Sequence, residues 1–166
     1  TNSLFEVIRK EKPDLIAVAF DKGGSQARTK VFPEYKANRQ ETPEAIKIAV
    51  PYIQQLLEAM HIPIVEQAGY EADDLIATYS KKITDAGAKV TVISSDKDLM
   101  QLVSTKIRLF DPMKSKVIGE KEVEEKFGVK PKQVVDVQSL AGDSSDNIPG
   151  VPGIGVKTAA EPVSYT

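Results

Sequence analysis

The sequence has no cysteine, no tryptophan and a single histidine among its 166 residues. Without cysteine there is no disulfide scaffold, no zinc–cysteine site and no thiol nucleophile. One histidine is too few for a histidine-rich metal centre, so any metal must be held by oxygen. No stretch approaches the roughly 20 consecutive apolar residues that a membrane span needs. The first residues lack the charged-then-apolar pattern of a signal peptide. There is no internal repeat and no low-complexity tract. With 41% hydrophobic and 28% charged residues, the composition is that of a globular domain able to build a core.

The net charge of −2 has the wrong sign for a simple nucleic-acid binder, but the charges are sorted. Residues 22–39 carry five bases (Lys22, Arg28, Lys30, Lys36, Arg39) against one acid, Glu34, whereas residues 66–74 carry four acids and no base. A site that joins metal to phosphate needs such sorting.

The spacing of Leu4, Phe5 and Ile8 predicts an opening helix that ends at Pro13-Asp14. Leu15 to Phe20 is a continuous apolar run that stops at Asp21, as expected of a strand buried on both faces of a parallel sheet. Residues 22–42 read as a loop, and loops of that length are often functional. Thr42-Pro43-Glu44 is a helix start. Ile46, Val50, Ile53, Leu57 and Met60 follow as its apolar stripe, with a kink expected at Pro51. Strands are predicted at 62–65, 89–93 and 107–110. Helices are predicted over 71–86, where Gly87 closes the helix, and over 120–127 and 131–140. This alternation predicts an α/β fold with a mostly parallel central sheet flanked by helices.

The acids fall at element ends. Asp21 follows the first strand, and Asp96 and Asp98 follow the 89–93 strand. Glu71, Asp73 and Asp74 open a helix, and Asp143 and Asp146 lie in the loop Gly142-Asp-Ser-Ser-Asp-Asn147. Ligands of open α/β sheets collect beyond the carboxyl ends of strands. Each cluster taken alone has an ordinary reading as a helix cap or a turn residue. Together they are eight carboxylates on turns able to converge. Such crowding calls for protonation or a bound cation. With no histidine or cysteine nearby, hard ions such as Mg²⁺ or Mn²⁺ match, and adjacent bases suggest two-metal phosphoryl chemistry. The run Gly150-Val-Pro-Gly153-Ile-Gly155-Val-Lys157-Thr158 is not a P-loop. It is a plain turn or a place where backbone N–H groups approach phosphate.

Ala19-Phe-Asp21, Glu34-Tyr-Lys-Ala-Asn-Arg39, Tyr70-Glu-Ala-Asp-Asp74, Ser95-Asp-Lys-Asp-Leu99 and Gly142 to Gly155 occur in that order. In this the chain, from about Thr1 to Ala160, resembles the bacterial 5′ nuclease domain of DNA polymerase I. Flap endonucleases and phage 5′ exonucleases are related to that domain. The resemblance implies a PIN-like fold with a partial C-terminal helix–hairpin–helix. It implies a structure-specific nuclease that removes 5′ flaps and RNA primers in replication and repair. The first metal cluster would be Asp21, Glu71, Asp73, Asp74, Asp96 and Asp98; Asp143 and Asp146 would serve the second site. Arg28, Lys36 and Arg39 would act on the scissile phosphate at the base of a helical arch over about 22–50. Tyr35 would stack on an unpaired base, with a partly buried loop aromatic as the equal alternative. Gly150, Gly153, Gly155, Lys157 and Thr158 would grip duplex phosphates, with K⁺ as a companion ion. A monomer in the bacterial cytoplasm, at the nucleoid and without membrane contact, is expected.

By the resemblance, residues 1–140 are the nuclease core, residues 141–160 the second-metal loop and hairpin, and residues 161–166 a tail outside the family. The family's first strand, with a further Asp, is expected upstream of Thr1. Ala27 stands where the family has an aromatic, and Glu161-Pro162 is expected to break the last helix. The competing reading is a catalytically impaired fragment that binds flap junctions without cutting. A nucleotide-binding Rossmann domain is disfavoured, because no glycine-rich turn follows the first strand.

Overall fold

The computed structural model describes residues 2–165, so Thr1 and Thr166, the last residue of the expected tail, lie outside the described residues. The chain forms two compact units that interleave along the sequence, Thr1–Ala27 with Gln40–Leu75, and Arg28–Arg39 with Ile76–Thr166. No described helix is long and apolar enough to cross a membrane.

The first unit holds α1 (Asn2–Glu11), β1 (Val18–Ala19), α3 (Glu44–Ala59) and β2 (Ile64–Val65), with β1 and β2 parallel. The 15–20 run therefore yields a two-residue strand, and Leu15 is 92% exposed. An apolar run becomes a strand buried on both faces only where layers cover both faces; here β1 has β2 as its partner among the described residues. In α3 only Leu57 of the predicted stripe is fully buried, and Ile46 and Ile53 are exposed. The helix starts one residue later than predicted, with Pro43 at the N-cap and Pro51 inside it.

The second unit carries the main core. Its sheet runs β3 (Val90–Ile93), β4 (Ile107–Asp111), β5 (Lys116–Ile118), with β3–β4 parallel and β4–β5 antiparallel. Around it stand α4 (Ala72–Asp85), α5 (Glu120–Phe127), α6 (Val134–Ala141) and α7 (Val156–Val163), with α4 starting in the first unit. A 3₁₀ turn, Asp98–Leu102, follows β3, and another, Pro131–Gln133, leads into α6. The short helix α2 (Gln26–Val31) lies within the stretch expected as loop. It buries no residue, so no apolar stripe announces it.

The core is built from period-2 and period-3.6 faces meeting. Ile107 and Leu109 point inward from β4, Val123 and Phe127 from α5, Val134 and Val137 from α6, and Ala159, Ala160 and Val163 from α7. Helix α5 is closed at both ends: Gly119 N–H donates to Glu122 Oε2 at 2.8 Å, and Gly128 takes a left-handed φ of 74°. The helical pattern does not break at Glu161, because α7 continues through Pro162 to Val163. Burial of Ala159, Ala160 and Val163 outweighs the lost N–H of one proline near the helix end.

The inward register of β4 continues past Leu109 to Asp111, which is only 3% exposed. Its Oδ1 accepts bonds from Ser95 Oγ (2.8 Å), Met113 N–H (2.9 Å) and Lys114 N–H (3.3 Å), closing the β4–β5 turn and tying it to the end of β3. The Ser95 hydroxyl, aided by those N–H groups against the opposing effect of burial, holds the Asp111 carboxyl below its ordinary value of 3.8. A depressed carboxyl contributes stability that is present above the unfolded pKa and lost as pH falls through the folded one. Asp111→Asn is therefore expected to lower Tm at neutral pH, with the gap to the wild type closing as pH falls below about 4. Thermal melts followed by circular dichroism across pH check this; a gap independent of pH contradicts it.

Candidate metal and phosphate site

In the first unit the acids gather at the start of α4. Asp21, just past β1, accepts the Ala72 N–H at 2.7 Å through Oδ1. Asp74 Oδ2 reaches back to the Glu71 N–H at 3.0 Å, the return half of a capping box. Glu71 is buried and Asp73 half-buried beside them. The positive end of the helix dipole explains why acids are tolerated here. Nearby, Lys22 pairs with Glu66.

In the second unit the turn after β3 is folded by its own side chains. Asp96 N–H donates to Ser94 Oγ at 3.0 Å, and Asp98 N–H donates to Asp96 Oδ1 at 2.9 Å. Lys97 then reaches Asp98 at 3.1 Å and Asp143 at 2.5 Å, while Gln138 of α6 donates to Asp98 Oδ1 at 2.5 Å. Burial drives the Asp143 carboxyl up, but Lys97 and the Ser145 N–H outweigh it, and the carboxyl sits below its ordinary range. Burial likewise works against the Lys97 charge, yet its two carboxylate partners hold its pKa above the usual lysine value.

The loop carrying Asp143 and Asp146 is pinned at its neck. Asp143 and Ile148 exchange backbone hydrogen bonds of 2.8 Å each. Gly142 has φ 74° and ψ 178°, a conformation left almost entirely to glycine. A Cβ there would stand 2.3 Å from the Gly150 nitrogen. Gly150, expected from sequence to face phosphate, also closes the acidic loop, and an added Cβ at Gly153 or Gly155 would meet open space. Gly155 caps α7, whose first turn exposes Lys157 and Thr158.

Three side chains expected to meet nucleic acid converge on Asp146. Arg39 Nη2 lies 2.5 Å from Oδ1, Tyr35 hydroxyl 3.2 Å from Oδ2 and Lys36 Nζ 3.8 Å from Oδ2. Lys36 also lies 4.9 Å from the centre of the Tyr35 ring. Backbone contacts fix the same segment. Lys36 N–H donates to the Asp146 carbonyl at 2.9 Å, Asn38 Nδ2 to the Ser144 carbonyl at 2.8 Å and Asn147 Nδ2 to the Glu34 carbonyl at 2.8 Å. Arg28 stands exposed on α2. Sequence reasoning missed Lys97, Gln138, Asn38, Asn147 and the Ser95–Asp111 pair. Lys97 lies inside a quoted motif, but one lysine between two aspartates carries no signal of what it touches.

Among the described residues, no three His, Cys, Asp or Glu side chains are grouped to hold one ion. The acids instead bond to amides, lysines and an arginine. The donor chemistry nonetheless fits a hard divalent cation, being all oxygen. Asp143 and Asp146 are 7% and 8% exposed and already face positive partners. Buried carboxylates require such compensation.

The model of the 5′-3′ exonuclease N-terminal, resolvase-like domain matches residues 1–128, and that of the 5′-3′ exonuclease C-terminal SAM fold matches residues 129–164. The second match runs into the segment expected as a tail. The chain is 44% identical to DNA polymerase I of Rhizobium leguminosarum, over 96% of this chain and 16% of that protein. It is 42% identical to the 5′-3′ exonuclease of Aquifex aeolicus, over 94% of this chain and 54% of that one. The chain thus spans about half of one relative and a sixth of the other. A zinc-bound T5 5′-exonuclease superposes with TM-score 0.82 at 27% identity, over 99% of this chain and 65% of that one. A bacteriophage T5 flap endonuclease in a pseudo-enzyme-product complex with DNA and metal ions gives 0.78 at 28%, over 96% and 62%.

Gly142→Ala is expected to cost about 1–3 kcal/mol from the forced backbone conformation alone, before the clash with Gly150 is added. Gly153→Ala, at φ 79° but in open space, should cost less. Urea unfolding of both variants checks this; equal losses contradict the account of the loop neck.

Proposed function

The chain belongs to the 5′-3′ exonuclease family, and from that premise we propose that it is the cutting portion of a metal-dependent, structure-specific 5′ nuclease. Its substrate is DNA with a 5′ flap or a junction of single strand and duplex, and RNA primer strands are cut by the same site. The observation that carries this reading is the convergence of Tyr35, Lys36 and Arg39 on Asp146. Phosphodiester hydrolysis needs anions that hold metal and cations that hold phosphate within a few ångströms of each other, and this unit carries both.

The acids of each unit offer an all-oxygen set: Asp21, Glu71, Asp73 and Asp74 in the first, Asp96, Asp98, Asp143 and Asp146 in the second. Mg²⁺ or Mn²⁺ held by these acids would supply the lowered pKa of a bound water and charge compensation at the leaving oxygen. Lys36 and Arg39 stabilise charge on the phosphate oxygens, Arg39 through the planar fork that matches them. Arg28, exposed on α2, adds a further positive charge. Tyr35 offers a ring on which an unpaired base stacks. The backbone of Gly153 and Gly155, with Lys157 and Thr158, holds phosphates of the duplex, where K⁺ assists. These contacts are to phosphate rather than to sugar, which suits DNA and RNA strands alike. A monomer working at the bacterial nucleoid fits relatives that are bacterial DNA polymerases.

Cleavage of a labelled 5′-flap duplex tests the proposal. Cutting is expected with Mg²⁺ or Mn²⁺, none with EDTA, and a loss on the order of 10²-fold or more in the Asp73→Asn, Asp74→Asn double variant. Cutting that survives the double change refutes the site. Flap binding without cleavage in either metal selects the impaired binding module instead.

A further inference from the structure

Two carboxylates from distant segments meet one ammonium group at the end of β3. Lys97 Nζ lies 2.5 Å from Asp143 Oδ2 and 3.1 Å from Asp98 Oδ1, and Asp143 is 46 positions from Lys97 in sequence. Two neutral donors also hold these acids, Ser145 N–H on Asp143 Oδ1 at 2.9 Å and Gln138 on Asp98 Oδ1 at 2.5 Å, and the Lys126 ammonium acts on Asp98 at longer range. The Lys97 side chain is about two-thirds covered, at 32% exposure, whereas that of Asp143 is at 8%. A carboxylate so enclosed, beside a second one, needs a positive charge at all times. An ammonium on a flexible stem supplies it as a point charge, without the planar fork by which arginine would lock both acids.

We infer that Lys97 is a positioning residue, the resident counter-charge that draws Asp98 and Asp143 into one oxygen set and gives up that set to a divalent cation. The inference rests on the metal-dependent nuclease reading. It adds that the protein carries its own substitute cation, so that the acids are gathered before the ion arrives. A surface ion pair would do neither, because exposed pairs contribute little and order little.

The test is thermal melting of the full chain as wild type, Lys97→Met and Lys97→Arg, in EDTA and in Mn²⁺. In EDTA, Lys97→Met is expected to melt lower than wild type by about 4 °C or more. Mn²⁺ should close most of that gap, so that the metal-induced rise is larger in the variant. Lys97→Arg, which keeps the charge, should stay near wild type in EDTA. A deficit equal in both buffers would assign Lys97 to packing and overturn the inference, as would no deficit in EDTA. A Mn²⁺-induced rise in wild type with none extra in Lys97→Met removes this inference alone. A rise in neither removes the metal reading and the inference with it. If Lys97→Met does not fold, Lys97→Met, Asp143→Asn is read in its place. That double change removes the ammonium together with its nearer, more buried carboxylate and leaves Asp98; it is expected to fold, and its failure to do so overturns the inference.

Discussion

Negative charges crowded onto turns must be balanced wherever they are buried, and within each unit this requirement organises the acidic ends of the strands and helices. Eight acids stand at the ends of strands and helices. Their self-repulsion would open those turns unless positive partners were built in. At the start of α4 backbone N–H groups are among the partners, with Asp21 bonded to Ala72 and Asp74 to Glu71. After β3 and α6 they are side-chain cations: Lys97 for Asp98 and Asp143, Arg39 and Lys36 for Asp146. The first arrangement includes the bonds of a well-capped helix. The second is chemically suggestive, because the groups that neutralise Asp146 are of the kind that hold phosphate.

The scaffold makes these contacts specific. Asp111, buried by the register of β4, holds Ser95 and so fixes the turn from which Asp96 and Asp98 project. Gly142 and Gly150 pinch the 142–150 loop closed at its neck, with Asp143 and Asp146 three residues apart within it. Residues 34–39 then lie on that base through three backbone-directed bonds. The core is formed by residues of β4, α5, α6 and α7, with Ala141, just before the 142–150 loop, packed against it. Positioning from rigid elements is what a site needs if metal and phosphate are to meet at fixed distances.

Much of this was legible in the sequence. Helix α5 matches its predicted span, and α4 and α6 fall within three residues of theirs, because apolar residues recur at helical spacing and, for α4, Gly87 marks the stop. The strands β3 and β4 were visible as apolar runs. What escaped had no local signal. Helix α2 buries nothing, β5 (Lys116–Ile118) has a single buried residue, and α7 passes through a proline that tertiary packing overrides. The stripe of α3 was readable, but which of its residues are covered depends on neighbours that periodicity does not name. Among the site residues, the acids were found because clustering like charges is conspicuous in one dimension. Lys97 and Gln138 were not, since a counter-charge is defined by a contact and not by a motif.

The central claim is that these acids take up divalent cations in more than one set. Mn²⁺ binding at equilibrium, counted by electron paramagnetic resonance of the free ion, tests it most directly. The expected result is more than one Mn²⁺ per chain, with Asp143→Asn, Asp146→Asn losing part of the binding while the acids around α4 retain the rest. A chain that takes up no Mn²⁺, or that binds the same amount after both aspartates are neutralised, would contradict the account.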